Sequence, residues 1–171
     1  MNDTALAIPL ALKAGLGEYG RHGLLITKEF GPRVRIGKIF TDLPLDPDRP
    51  HSFGVREFCD VCRRCSDACP VNAIPDGPPS DEVYNRSNIT GVKKWTVDAE
   101  PCFQFWSNQN SDCSICVRVC PYNLDFSKTL ARVWRWLAGT RLRRFALWLA
   151  DRFAPGRRVK PHDWWRTGER G

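Results

Sequence analysis

Residues 59–70 read CDVCRRCSDACP, that is Cys59-x2-Cys62-x2-Cys65-x3-Cys69-Pro70. This is the bacterial two-cluster pattern, in which three closely spaced thiolates hold three irons of one [4Fe–4S] cubane. The fourth cysteine of such a run ligates the other cluster, and the proline after it turns the chain away. A second run, Cys113-x2-Cys116-x3-Cys120-Pro121, is one ligand short; a regular repeat would place it at position 110, which is Asn110. One cysteine remains, Cys102, and the ten residues between it and Cys113 form a loop long enough to swing back to the same cubane. The expected sets are Cys59, Cys62, Cys65 and Cys120 for the first cluster, and Cys69, Cys102, Cys113 and Cys116 for the second.

Two other uses of eight cysteines fit poorly. A structural zinc site takes four ligands, usually as two close pairs far apart in sequence. A disulfide framework has no need of proline after the last cysteine of both runs. A four-thiolate cubane carries about −2 when oxidised, so nearby cations matter. Arg63, Arg64 and Arg118 lie inside the runs, where they either raise a reduction potential or sit in solvent.

Outward from the runs, residues 54–126 hold every cysteine, with loops such as Pro75-Asp76-Gly77-Pro78-Pro79-Ser80 between them. Metal ligation rather than apolar burial is expected to hold this region together. Residues 1–50 read as a helix from Thr4 to Ala14, the glycines 15 and 17, a buried strand over Leu24–Thr27, a Gly31-Pro32 turn and a second strand over Val34–Thr41. So small a segment cannot bury both faces of a sheet, and it reads as the end of a larger α/β domain.

Residues 127–171 form a basic tail. From Ala131 onward there are eleven Lys and Arg against three Asp and Glu, within a chain of 171 residues and net charge +7. A short helix is expected over Leu130–Leu137, then a break at Gly139. A second helix carries Leu142, Phe145, Ala146, Leu149 and Phe153 as an apolar stripe and ends at Pro155-Gly156. Basic residues interleaved with Trp and Leu at helical spacing fit a surface helix rather than a nucleic-acid partner. The stripe is expected to pack on the cluster region; peripheral contact with an anionic membrane is the alternative. No membrane span is expected, and Asp3 ahead of the apolar Ala5–Leu12 argues against a signal peptide.

Beyond the cysteines, the chain resembles the C-terminal part of corrinoid-dependent reductive dehalogenases. The resemblance rests on AGLGEYGRHGLLIT (14–27), EFGPRVR (29–35), FTDLPL (40–45), Phe58-Cys59 and KKWTVDAE (93–100), followed by the displaced Cys102. It implies an α+β chain: the end of a nitroreductase-like α/β corrinoid domain (1–50), a two-[4Fe–4S] ferredoxin-like module (54–126) and a Trp-rich helical tail (127–171). It further implies that electrons pass through both clusters to a cobalamin that removes halide from an organohalide. They would come from a donor protein or quinone-linked reductase, and family members are cytoplasmic or attached to the outer face of a membrane.

The family's proton-donor tyrosine is expected upstream, and Tyr19 reads as structural. Its assisting arginine matches Arg35, with Arg33 the alternative, and Asn2 matches the assisting amide. Gly15, Gly17 and His22 fall in the stretch assigned to the corrinoid wall. The family binds its corrinoid without a protein histidine on cobalt, so His22 reads as a loop residue. Epoxyqueuosine reductases share both modules but usually continue into helical repeats. A stand-alone two-cluster electron carrier is the remaining alternative.

Overall fold

The computed structural model describes residues 6–86 and 88–153. Its elements are α1 (Ala7–Lys13), β1 (Glu18–Tyr19), β2 (Leu25–Ile26), α2 (Val55–Val61), α3 (Arg64–Asp67), α4 (Ala99–Gln109), α5 (Ile115–Arg118), α6 (Thr129–Ala138) and α7 (Arg143–Phe153). Pro9 lies in the first turn of α1, where its missing N–H removes no helical bond. The start of the expected helix lies outside the described residues.

β1 and β2 make an antiparallel hairpin that pairs Glu18 with Ile26 and Tyr19 with Leu25. The strand expected over Val34–Thr41 does not form. Ile39 and Phe40 are 93% and 85% exposed, and the only sheet among the described residues is that hairpin. β-prone residues with no neighbour to share a ladder remain extended coil.

One core unites the hairpin, the cysteine region and the C-terminal helices. Phe58 of α2, Tyr122 and Trp134 of α6 stand edge to face in a mutual triad, with centroids 5.4, 5.4 and 5.3 Å apart. Trp134 Nε1 donates to Ala146 O at 2.8 Å, tying α6 to α7. The break at Gly139 has a packing reason. A Cβ on Gly54, which begins α2 at φ +88°, would lie 2.4 Å from Gly139 Cα. One on Gly139 would lie 2.5 Å from Phe53 O, so two backbones cross in contact there.

The expected stripe of α7 is only partly turned inward. Ala146 and Ala150 are buried with Leu147 and Leu149 packed beside them. Leu142, Phe145, Trp148 and Phe153 are half or more exposed, and Phe145 stacks on Trp148. The buried residues of α7 are thus its two alanines rather than its large side chains. Pro155-Gly156 and Trp164-Trp165 lie outside the described residues.

The hairpin is fastened to the cysteine region at Gly31, which has φ +61° and would place a Cβ 2.0 Å from Tyr122 O. Gly31→Ala must both strain the left-handed backbone and push Tyr122 off the triad. It is expected to cost about 2–4 kcal/mol, read as a lower midpoint of thermal unfolding.

Candidate metal centre

Two helical turns each carry one of the thiols, Cys65 and Cys116. α3 and α5, each four residues long, pack against each other. A small apolar cluster of Cys65, Ala68, Ile74 and Val119, with Val97 and Ile115 beside it, lies in this region. α4 supplies Cys102: Asp98 Oδ1 caps it by accepting from Glu100 N, and Asn110 ends it at φ +49°. Asn110 therefore stands where a regular repeat would have a cysteine, and its left-handed turn brings the chain back toward Cys113. Cys69 Sγ accepts the N–H of Ala73 at 3.3 Å.

The thiols influence one another in two sets. Burial pushes Cys59 up to about 12, opposed in part by Arg21, with the neighbouring Cys62 adding to the rise. Burial likewise raises Cys62 to about 11. Cys120 is raised by burial and then by Cys59, Cys62 and Cys65. In the other set, burial and then Cys113 raise Cys116 to about 11, with Cys102 and Cys69 contributing. Cys102 is raised by burial and then by Cys113 and Cys69. Cys65, raised mainly by burial, feels Cys59 and Cys62 and also Cys116, so the two sets adjoin. Thiols gathered out of water keep their protons until a metal supplies compensating charge.

The sets differ in access. Cys59, Cys62, Cys65 and Cys120 are buried, whereas Cys69, Cys102, Cys113 and Cys116 are half-buried. The buried four line a small void with Arg21, His22, Phe58, Pro121 and Tyr122. Among the described residues no three His, Cys, Asp or Glu are arranged to hold a single metal ion; the buried thiols surround a volume. Two other residues on the wall, His22 and Tyr122, each bury a polar atom with no partner in the protein. Four thiols and two unpaired polar groups make a lining whose chemistry suits an acceptor-rich guest.

Arg21 is 2% exposed. Its Nε and Nη2 donate to Cys59 O at 3.2 and 2.8 Å, and its Nη1 donates to Pro75 O and Gly77 O at 2.8 and 2.9 Å. The guanidinium lies 4.8 Å from the Trp95 ring centroid, and Trp95 Nε1 also donates to Gly77 O. All of these hydrogen bonds go to carbonyl oxygens, so among the described residues Arg21 is a buried cation without a carboxylate partner. It lowers the pKa of Cys59, Cys62 and Cys65.

Sequence reading missed Arg21, because nothing in the spacing ties it to Cys59, 38 residues on. It also missed Glu18, whose carboxylate accepts from Ser52 Oγ, Phe53 N and Val55 N and so caps α2 from another element. Of the arginines inside the runs, Arg64 donates to Ala150 O and lowers the Cys62 pKa, while Arg63 is exposed.

The residues expected at a catalytic group, Arg33, Arg35 and Asn2, are only partly within the described residues. Arg33 donates to Leu124 O at 2.8 Å, Arg35 is exposed, and Asn2 lies outside the described residues. Gly15 and Gly17 make close backbone contacts, with a Cβ on either falling 2.5 Å from Arg49 O or 2.2 Å from Ile26 O. His22, expected in a loop of a corrinoid wall, lies buried beside the cysteines. A broad apolar hollow opens on the other side of the hairpin, lined by Leu6, Pro9, Leu12, Gly17, Tyr19, Ile89, Val92 and Trp95 among others. Tyr19 Oη donates to Trp95 O at 3.0 Å, as befits a structural tyrosine.

The fold and the two thiol sets define a two-cluster iron–sulfur module. In agreement, residues 58–123 match the 4Fe-4S double cluster binding domain family. A tetrachloroethene reductive dehalogenase of Desulfitobacterium hafniense is 52% identical over 126 residues, covering 71% of this chain and 23% of the relative. A solved reductive dehalogenase, whose structure was used to suggest a mechanism for B12-dependent dehalogenation, superposes with a TM-score of 0.74 at 31% identity. It covers 88% of this chain and 21% of that one. An epoxyqueuosine reductase of a Synechocystis species is 30% identical over 135 residues, covering 69% of this chain and 39% of the relative. The chain belongs to the reductive dehalogenase family and corresponds to its C-terminal, iron–sulfur portion. It spans about a quarter of the length of the dehalogenases it matches.

Proposed function

We propose that the chain is the electron-delivering portion of a reductive dehalogenase. One cluster is held by Cys59, Cys62, Cys65 and Cys120, the other by Cys69, Cys102, Cys113 and Cys116. The observation that carries this is the division of eight thiols into two adjoining sets of unequal burial. Electrons enter at the half-buried set, where a donor protein or quinone-linked reductase has access, and move to the buried set beneath the hairpin. The hollow across the hairpin, with residues 1–50 as the end of a nitroreductase-like α/β domain, forms one wall for a cobalamin. That corrinoid supplies the reduced metal that takes halide from an organohalide; tetrachloroethene, the substrate in one relative's name, is the first compound to try. Arg35 or Arg33, with Asn2, would assist a proton-donating tyrosine elsewhere in the protein. The higher identity to the dehalogenase favours this over an epoxyqueuosine reductase. The elaborate N-terminal hairpin favours it over a bare electron carrier. Trp136 of α6, Leu142 just before α7, and Phe145 and Trp148 of α7, exposed among arginines, suit a peripheral membrane contact.

Protein prepared without oxygen is expected to hold about eight irons and eight sulfides per chain, and reduction should give coupled S = 1/2 signals. With cobalamin, reductant and tetrachloroethene added, the isolated chain should release no more chloride than free cobalamin does. The hollow is an open wall that cannot exclude water from a reacting centre. Chloride release well above that background, or zinc in place of iron and sulfide, would refute the reading.

A further inference from the structure

Among the described residues, four buried side-chain polar atoms lack a hydrogen-bond partner: His22 Nε2, Glu57 Oε2, Thr96 Oγ1 and Tyr122 Oη. Two of the four belong to residues on the wall of the void ringed by Cys59, Cys62, Cys65 and Cys120. His22 Nδ1 accepts the N–H of Leu24 at 3.2 Å, so in the neutral ring the proton sits on Nε2. The ring owes its seat to a missing side chain, since a Cβ on Gly20 would lie 2.9 Å from Cε1 and 3.3 Å from Nε2. Tyr122 is 1% exposed, and its ring is gripped edge-on by Phe58 and Trp134, so its hydroxyl cannot turn to solvent. Native proteins rarely leave buried donors unpaired, and two on one wall point to a common acceptor.

We propose that His22 Nε2–H and Tyr122 Oη–H donate hydrogen bonds to sulfur atoms of the buried cluster and raise its midpoint potential. This rests on that cluster being held by the buried four cysteines. Hydrogen bonds to the sulfurs stabilise the more negative, reduced state more than the oxidised one. His22 and Tyr122 are thus positioning residues for the cluster's charge, and the hairpin is part of its electronic environment.

The test uses the 171-residue chain with both clusters assembled and histidine labelled with 15N in the ring. Pulsed EPR of the reduced protein should show a ring-15N coupling that His22→Gln or His22→Phe abolishes or alters. It should also show an exchangeable-proton coupling that Tyr122→Phe removes. In redox titrations Tyr122→Phe and His22→Phe should each make the buried cluster about tenfold harder to reduce, or about 59 mV for a one-electron couple. The second cluster's midpoint should not move. His22→Gln, which keeps an N–H donor, should recover part of the shift. Wild-type iron and sulfide with unchanged midpoints and no ring-15N coupling would overturn the proposal alone; a wild-type chain that assembles no buried cluster would overturn the ligand reading with it. If His22→Phe fails to assemble, the wild-type 15N coupling and the Tyr122→Phe midpoint decide.

Discussion

Cys120→Ala is expected to empty the buried site of the first cysteine run, although Cys120 belongs to the second. Iron should fall from about eight to about four per chain, and the surviving signal should be that of the half-buried cluster. Cys102→Ala should produce the opposite loss. The two variants should also differ in stability. Three of the buried thiols, Cys59, Cys62 and Cys120, belong to the same core as Phe58, Tyr122 and Trp134, so losing their cluster should loosen α2 and α6 together. Cys102 lies on a helix with no buried residue, so the damage from its loss should stay local. Iron analysis, EPR and thermal unfolding of both variants give the answer. A Cys102→Ala protein that kept about eight irons would refute the displaced ligand.

Arg21→Met should be nearly as damaging by a different route. The substitution keeps much of the side chain's bulk but removes every donor from Cys59 O and Pro75 O, and one of the two serving Gly77 O. It also leaves the buried cluster without the nearest cation that the fold encloses. Breaking a buried charge pair by deleting one partner typically costs about 3–5 kcal/mol. Arg21→Lys should separate the two roles, holding the buried cluster's potential near wild type while failing to restore stability, because an ammonium cannot span three carbonyls as the planar fork does. Unchanged unfolding and midpoint in Arg21→Met would mean that the cluster does not serve as the counter-charge.

The two-cluster module was legible because cubane ligation imposes a spacing that few other chemistries share. Position 110 was informative through what it lacked, and Asn110 there adopts the left-handed conformation that ends α4. The helices of the tail and their break at Gly139 were legible from periodicity. The inward face of α7 was not, since the residues it buries are Ala146 and Ala150 rather than its bulkiest side chains. The failed strand over Val34–Thr41 has a similar cause: strand propensity is realised only beside a partner, and partner choice is a tertiary matter. Arg21, His22 and Glu18 act on residues far along the chain, and one sequence carries no record of such pairings. The catalytic group implied by Arg35, Arg33 and Asn2 remains a proposal for the whole enzyme.

On the proposed ligand sets, the crossing between the two runs sets a schedule for biosynthesis. The half-buried site would gain its last thiolate with Cys116 and the buried one with Cys120, so neither cubane could be completed before the second run is made. At about 5–20 residues per second, the roughly 60 residues from Cys59 to Cys120 keep the first thiols waiting, reduced and unligated, for several seconds. The lid of the buried site arrives later still, because Trp134 and the Gly139 crossing follow Cys120 in the chain. Cluster insertion therefore has a window between synthesis of Cys120 and closure of α6 and α7. A delivery factor for this protein would have to act within it.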